Sequence, residues 1–215
     1  MKGKTHLAIG GAIGAAACLI YPFNLNNDLL YLSIASFSAL SADLDGPSLL
    51  SGKLSKLSKL LRNLVMFAGV GLVAILSYMY IAQEKLYPVF TTISVAMFIL
   101  GLVTKEGTIR NALVSVVGLT LLYAGWDSQQ NWLIGFGLFI AWAPWLKHRG
   151  MTHTLWALGA WGAIGLGLEN QLQIDGIMFV SVAGYASHLI ADTLTPNGVK
   201  WLYPIYKRSI KIRLF

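Results

Sequence analysis

Eight apolar stretches separated by short polar turns constrain this chain more than any other feature of its sequence. Their approximate bounds are 5–22, 29–44, 64–82, 88–104, 109–126, 132–146, 154–169 and 176–194. About 20 apolar residues make one membrane-spanning helix, and no stretch alternates as a β-strand does. Charged residues make up only 12% of the chain, against about 25% in soluble domains. The sequence therefore predicts an all-α, polytopic transmembrane helix bundle of about eight spans, with six or seven as the alternatives.

The distribution of basic residues supports this count independently, because cytoplasmic loops carry an excess of Lys and Arg. With a cytoplasmic N-terminus, eight spans place fifteen of the sixteen basic residues inside and only Lys85 outside. The fifteen are Lys2, Lys4, Lys53, Lys56, Lys59, Arg62, Lys105, Arg110, Lys147, Arg149, Lys200, Lys207, Arg208, Lys211 and Arg213. We therefore expect both termini in the cytoplasm. Topology then accounts for the net charge of +7, and no nucleic-acid partner is expected.

No linker or change in composition divides the chain, so we expect a single integral-membrane domain over residues 1–215. One connection is distinctive: in the segment 46–63, Lys53, Lys56 and Lys59 recur at every third position among leucines. On a helix these lysines share one arc, which is typical of an amphipathic segment lying on an anionic membrane surface. A solvated loop that only enforces topology is the alternative.

The lone cysteine, Cys18, excludes an internal disulfide and a cysteine-based zinc site. The alanines before it resemble a lipoprotein cleavage site. Ala15, rather than the usual Leu, lies three residues before Cys18, so we expect this segment to be retained as the first span.

Seven residues that are costly in lipid lie at the cytoplasmic ends of the predicted spans. They are His6, Asp43, Asp45, His148, His153, His188 and Asp192. Odd-numbered spans begin and even-numbered spans end at that face, so the topology brings all seven to one membrane level. Imidazole and carboxylate are suitable ligands for zinc, manganese or iron. The sequence predicts a site for one or two divalent metal ions, with zinc or manganese favoured and magnesium as a further candidate.

The spacing within two motifs fits such a site. His188 and Asp192 are four residues apart, so on a helix they lie on the same side, one turn from each other. His148 and His153 are five residues apart and would diverge on a straight helix. Gly150 between them allows a turn that brings both rings together.

Chemical roles follow for the remaining polar residues. Asp43 and Asp45 are two residues apart at a helix end, which suits one bridging carboxylate and one terminal ligand or general base. Asp45 is our candidate bridging ligand or base, although the pattern leaves the two assignments open. The planar guanidinium of Arg149 suits an anionic phosphate. Thr152 is expected to orient a ligand or a substrate oxygen.

Four motifs carry these residues: Thr5-His6-Leu7, Asp43-Leu44-Asp45, the segment 148–154 (HRGMTHT) and the segment 184–198 (GYASHLIADTLTPNG). By these motifs, which occur in order through both ends of the chain, the protein resembles the YdjM-like family of predicted inner-membrane, metal-dependent hydrolases of bacteria and archaea. The resemblance implies an inner-membrane location, a divalent metal and hydrolysis.

Together these features predict a metal-dependent hydrolase that cleaves a phosphoester in a lipid or lipid-linked substrate at the cytoplasmic leaflet. Membrane lipids are the expected partners, and the sequence leaves the oligomeric state open. One alternative is a divalent-metal or proton transporter, although transporter sites usually lie near the bilayer midplane. The other is a membrane scaffold that uses metal only for folding, with a closed ligand shell.

Overall fold

The structure is a computed structural model that describes residues 2–212, with the backbone alone at Glu106. Most of these residues form eight α-helices: α1 Gly3–Ile20, α2 Leu25–Ser41, α3 Gly52–Gln83, α4 Pro88–Val103, α5 Glu106–Asp127, α6 Asn131–Trp142, α7 Leu155–Leu172 and α8 Ile177–Thr193. Short 3₁₀ turns lie at Ala42–Asp45, Ala143–Trp145 and Met151–His153. Residues 2–212 contain no β-strand, and one isolated bridge pairs Val199 with Ile210. The predicted all-α class is confirmed. Arg213, one of the fifteen basic residues, lies outside the described residues.

Each apolar stretch of the sequence coincides with one helix. Within the described part of the chain, three helices are long and apolar enough to cross a membrane: Gly3–Ile20, Gly52–Gln83 and Gly107–Asp127. Helices α4 and α8 are apolar but shorter, with 16 and 17 residues. The presence of apolar helices of spanning length agrees with a membrane protein.

The basic segment is largely helical. Helix α3 begins at Gly52 and continues for 32 residues to Gln83, which is about 48 Å at 1.5 Å per residue. The hydrocarbon core of a bilayer is only about 30 Å thick, so α3 is long enough to span the core and extend beyond it. Lys53, Lys56 and Lys59 are exposed on its first turns. Residues 52–63 are thus helix rather than loop, and their position on a membrane surface stays a prediction.

The chain divides into two compact units. The second unit comprises residues 52–113, in which α3 and α4 pack together. Glycines permit this packing, since a Cβ at Gly69 would lie 2.5 Å from Phe98 N and one at Gly101 would lie 2.6 Å from Met66 Cα. Residues 2–51 and 114–212 belong to what we call the main unit. That both units form one integral-membrane domain stays a prediction.

In the main unit, α2 packs against both α1 and α8 at short distances. A Cβ at Gly14 of α1 would lie 2.6 Å from Leu32 Cα, and one at Gly184 of α8 would lie 2.6 Å from the Ala35 carbonyl oxygen. Small residues at helix contacts let backbones approach in this way. This packing aligns the first turn of α1 with the last turns of α2 and α8, and the 3₁₀ turns after α2 and before α7 lie against the same end.

We expect Gly184→Ala to destabilise the main unit, because the added methyl would collide with the Ala35 carbonyl. Overpacking of this kind typically costs about 1–3 kcal/mol. Gly159→Ala is the matched control, since a Cβ there meets no heavy atom within 4 Å; removing a helix-interior glycine should stabilise by up to about 1 kcal/mol. The measurement is the free energy of unfolding in detergent. Equal effects of the two substitutions would contradict the close-packing argument.

Candidate metal centre

All seven predicted ligands meet at one end of the main unit. His6 lies in the first turn of α1, Asp43 and Asp45 in the 3₁₀ turn after α2, and His148 and His153 in the connection before α7. His188 and Asp192 occupy the last turns of α8. His6, Asp45, His153, His188 and Asp192 are buried. The Asp43 side chain is 19% exposed and that of His148 is 56% exposed, so the site opens on their side.

Two carboxylates lie close to the facing Nε2 atoms of two histidines, and we call these four residues the central cluster: Asp43, His153, His188 and Asp192. The two histidine Nε2 atoms are 3.3 Å apart. Asp43 Oδ1 lies 3.9 Å from Nε2 of His153 and 3.6 Å from Nε2 of His188. Asp192 Oδ2 lies 3.8 Å and 3.9 Å from the same two atoms. Tetrahedral ligands at about 2.0–2.2 Å from an ion would be separated by about 3.3–3.6 Å, so the cluster is slightly wider than that geometry.

Hydrogen bonds determine which nitrogen of each ring carries its proton. His188 Nδ1 donates to the Ala39 carbonyl oxygen at 2.7 Å, and a carbonyl can only accept. The Thr152 hydroxyl donates its single proton to Asp45 Oδ2 at 2.6 Å, so at 3.0 Å it accepts from His153 Nδ1. Neutral rings held this way leave their Nε2 lone pairs facing each other within the central cluster.

His6 extends the cluster on the α1 side. Its ring stacks on that of His188 with centroids 3.8 Å apart, and its Nε2 lies 3.4 Å from Asp192 Oδ1. Among the described residues, its Nδ1 is buried without a hydrogen-bond partner. Three overlapping groups therefore have the spacing of a metal site: His6 with Asp43 and His188; His153 with His188 and Asp192; and Asp43 with Asp45 and His148.

Asp45 lies behind the cluster, and both of its oxygens are occupied. Oδ1 bonds His148 Nδ1 at 2.7 Å, and Oδ2 accepts from the Arg149 backbone N–H at 3.0 Å and from Thr152. Burial raises the pKa of this carboxyl, but hydrogen bonds from His148 and His153 outweigh it and lower the pKa well below the usual range. The hydrogen bond to Asp45 in turn raises the pKa of His148. An ionised Asp45 thus orients the residues on the connection before α7.

Both the backbone and the side chain of Arg149 are constrained. Its backbone is left-handed, with φ +58°, a conformation that few non-glycine residues adopt. Its guanidinium contacts Asp192 Oδ2 at 2.9 Å and donates to Thr195 Oγ1 and the Gly198 carbonyl. The turn predicted at Gly150 is present, but the left-handed residue is Arg149. Gly150 is instead required because a Cβ there would lie 2.6 Å from the Lys147 carbonyl oxygen.

Two contributors to the site were not predicted from the sequence. The Ala39 carbonyl orients His188, and the buried Tyr185 hydroxyl donates to the Thr152 carbonyl. A backbone carbonyl leaves no signal in the residue type. Tyr185 precedes His188 by three residues in the same motif, and this helical spacing is the signal that could have found it.

Comparison with known proteins identifies the family. The chain belongs to the YdjM inner membrane protein family, which matches residues 1–215, as the motifs indicated. No match was found among curated proteins or among solved structures.

Proposed function

We propose that the central cluster binds a divalent metal ion and that the protein is a membrane-bound, metal-dependent hydrolase. One observation carries the proposal: Nε2 of His153 and Nε2 of His188 lie 3.3 Å apart, and each lies 3.6–3.9 Å from one oxygen of Asp43 and one oxygen of Asp192. Acceptors this close repel one another unless a cation balances them; the Arg149 guanidinium does so at Asp192 Oδ2, and a divalent ion held by both histidines and both carboxylates would do so for the whole cluster.

The ligand chemistry favours zinc or manganese, with magnesium as a further candidate, because imidazole nitrogen suits the first two better than the third. His6 and His148 lie beside the central cluster and provide further ligand atoms for a second ion. A bound divalent ion would act as a Lewis acid on a phosphoryl oxygen and would lower the pKa of water.

The surrounding residues have distinct roles in this proposal. Asp45 is a positioning residue, because its contacts hold His148, His153 and Thr152 and leave neither oxygen free. Thr152 fixes the ring of His153. Arg149 neutralises part of the charge of Asp192, so it acts on a ligand more directly than on a substrate phosphate. The exposed ring of His148 is placed to hold or release a proton at its Nε2.

A phosphoester in a lipid or lipid-linked substrate is the proposed target, since the site belongs to an inner-membrane protein and opens beside its apolar helices. The proposed topology has eight spans, both termini inside and the site at the cytoplasmic face, which is supported by the fifteen-to-one distribution of basic residues.

A metal-stabilised scaffold is the second candidate function. The complete burial of His153 and His188 favours it.

The topology is tested by reporter fusions. Fusions after Lys59 and at the C-terminus should report the cytoplasm, because basic residues flank both positions. A fusion after Lys85 should report the outside and serves as the control. An outside signal at either of the first two positions would contradict the cytoplasmic site.

Metal content is the direct test of the cluster. Purified protein should carry one or two zinc or manganese ions per chain, and His188→Ala with Asp192→Ala should lose them because the pair supplies two of four ligands. Asp127→Ala, which removes an exposed carboxylate in the last turn of α5, is the control. Elemental analysis measures both variants. Unchanged metal in the double variant would remove these residues from the site.

A measurement of lipid-phosphate turnover distinguishes the proposed hydrolase from a metal-stabilised scaffold. Phosphatidate and other lipid phosphates would be screened with zinc, manganese or magnesium. Asp45→Asn keeps the side-chain volume but removes the charge that orients His148. Groups that transfer protons typically contribute about 10²–10⁴-fold to the rate. Since His148 is the residue placed for this role, we expect Asp45→Asn to lower turnover by a factor in that range. Arg149→Lys should also lower turnover, since Lys lacks the planar fork that spans Asp192, Thr195 and Gly198.

Lys147→Gln is the control for these variants, because it removes an exposed charge from the same connection. If no lipid phosphate is turned over in a way that Asp45→Asn reduces, the scaffold becomes the better interpretation.

A further inference from the structure

An apolar groove runs between α6 and α7 in the main unit. Its part nearest the central cluster has a volume of about 200 Å³ and is lined by Phe139, Trp142, Met151, Thr152, Trp156 and Ala160, among others. A larger part, of about 680 Å³, shares Phe139, Trp142 and Ala160 with the first and continues to Asn131 and Gly167. We call the two parts together the α6–α7 groove.

The dimensions of the groove suit one extended chain. It follows α6 from Trp142 to Asn131, and the 12 residues of this helix extend for about 18 Å. The larger part alone lies within the range of about 300–1,000 Å³ that is typical of ligand pockets. Leu138, Trp142 and Trp156 on its walls are about half exposed or more, so the groove opens sideways from the helices.

One residue connects the groove to the candidate site. Thr152 lines the part nearest the cluster, and its hydroxyl is bonded to Asp45 and to His153 Nδ1. His153 in turn contributes Nε2 to the central cluster. The four cluster residues do not line the groove themselves, so a chain lying in it would end at Thr152, the residue next to His153 in the sequence.

The geometry points to the α6–α7 groove as the binding site for an acyl chain of a phospholipid whose phosphate lies at the central cluster. This inference rests on the proposed hydrolase function and specifies its substrate as a phospholipid with a long acyl chain. An inner-membrane protein is surrounded by such chains, and the apolar walls match them while the polar cluster lies at one end.

The groove is expected to position the acyl chain, and hydrophobic attraction contributes little to its binding. Lipid tails are as apolar as leucine side chains, so a chain gains little from leaving the bilayer for the groove. What the groove provides is a path along which the chain stays in apolar surroundings while its phosphate reaches the cluster. Filling the groove should therefore block access sterically.

The test uses the full chain in phosphatidylcholine nanodiscs containing a phosphatidate probe with a photoreactive acyl chain. A phosphatidylcholine probe with the same chain is used in parallel. We expect the phosphatidate probe to label α6 and α7 more strongly than the phosphatidylcholine probe. Ala160→Trp, at the junction of the two parts, should remove most of this labelling.

Gly159→Trp is the matched control. It adds the same side chain at the neighbouring position, where a Cβ meets nothing within 4 Å and which lines neither part of the groove. Its labelling should equal that of the wild type. If Ala160→Trp does not fold, Ala163→Phe fills the larger part instead.

The outcomes separate this inference from the hydrolase proposal. Selective labelling that Ala160→Trp removes, without turnover of any lipid phosphate, would support the groove and contradict the hydrolase. Turnover that Ala160→Trp leaves unchanged, with unchanged labelling, would overturn the groove alone. Equal labelling by both probes would show that the groove contacts only the surrounding annular lipid. Preferential labelling by a prenyl phosphate probe would show that the groove binds a prenyl chain in place of an acyl chain. Either result overturns the inference.

Discussion

The hydrogen bond from His188 Nδ1 to the Ala39 carbonyl joins the packing of this protein to its chemistry. It forms because α8 lies close enough to α2 for a side chain to reach the neighbouring backbone, and Gly184 allows that approach. The same bond assigns the ring proton to Nδ1 and leaves Nε2 as an acceptor. The Nε2 lone pair of His188 therefore faces His153 because α8 packs closely on α2 at Gly184, four residues earlier in the sequence.

Asp45 has the corresponding role for the connection before α7. A carboxylate buried in an apolar setting is costly unless its charge is compensated, and here His148, the Arg149 backbone and Thr152 supply hydrogen bonds. These bonds hold a turn in which Arg149 adopts an unfavourable left-handed backbone. The buried charge of Asp45 thus holds His148, the Arg149 backbone and Thr152 in place, and through Thr152 it orients the ring of His153.

Much of this arrangement could be predicted from the sequence, because it follows from periodicity and topology. The eight apolar stretches gave the helices, and the one-turn spacing of His188 and Asp192 gave a shared helix face. The roles of Asp45 and Arg149 could not be predicted, since they depend on contacts between residues more than forty positions apart in the sequence. Residue type also left open whether the lysines near Lys56 lie on a helix or a loop, because their spacing is compatible with either.

The central cluster brings two imidazoles and two carboxylates together in a largely buried position, and this has an energetic consequence. Facing lone pairs at 3.3 Å and nearby carboxylates repel one another in a site from which water is largely excluded. Close packing and charge compensation offset that repulsion. His188 and Asp192 lie on α8, which packs against α2 at Gly184, and Arg149 contacts Asp192. His153 lies in a connection that is held by hydrogen bonds to Thr152 and Asp45. If the cluster binds a metal ion as proposed, side chains held in this way would need little rearrangement around it, which is the advantage of preorganised polar groups.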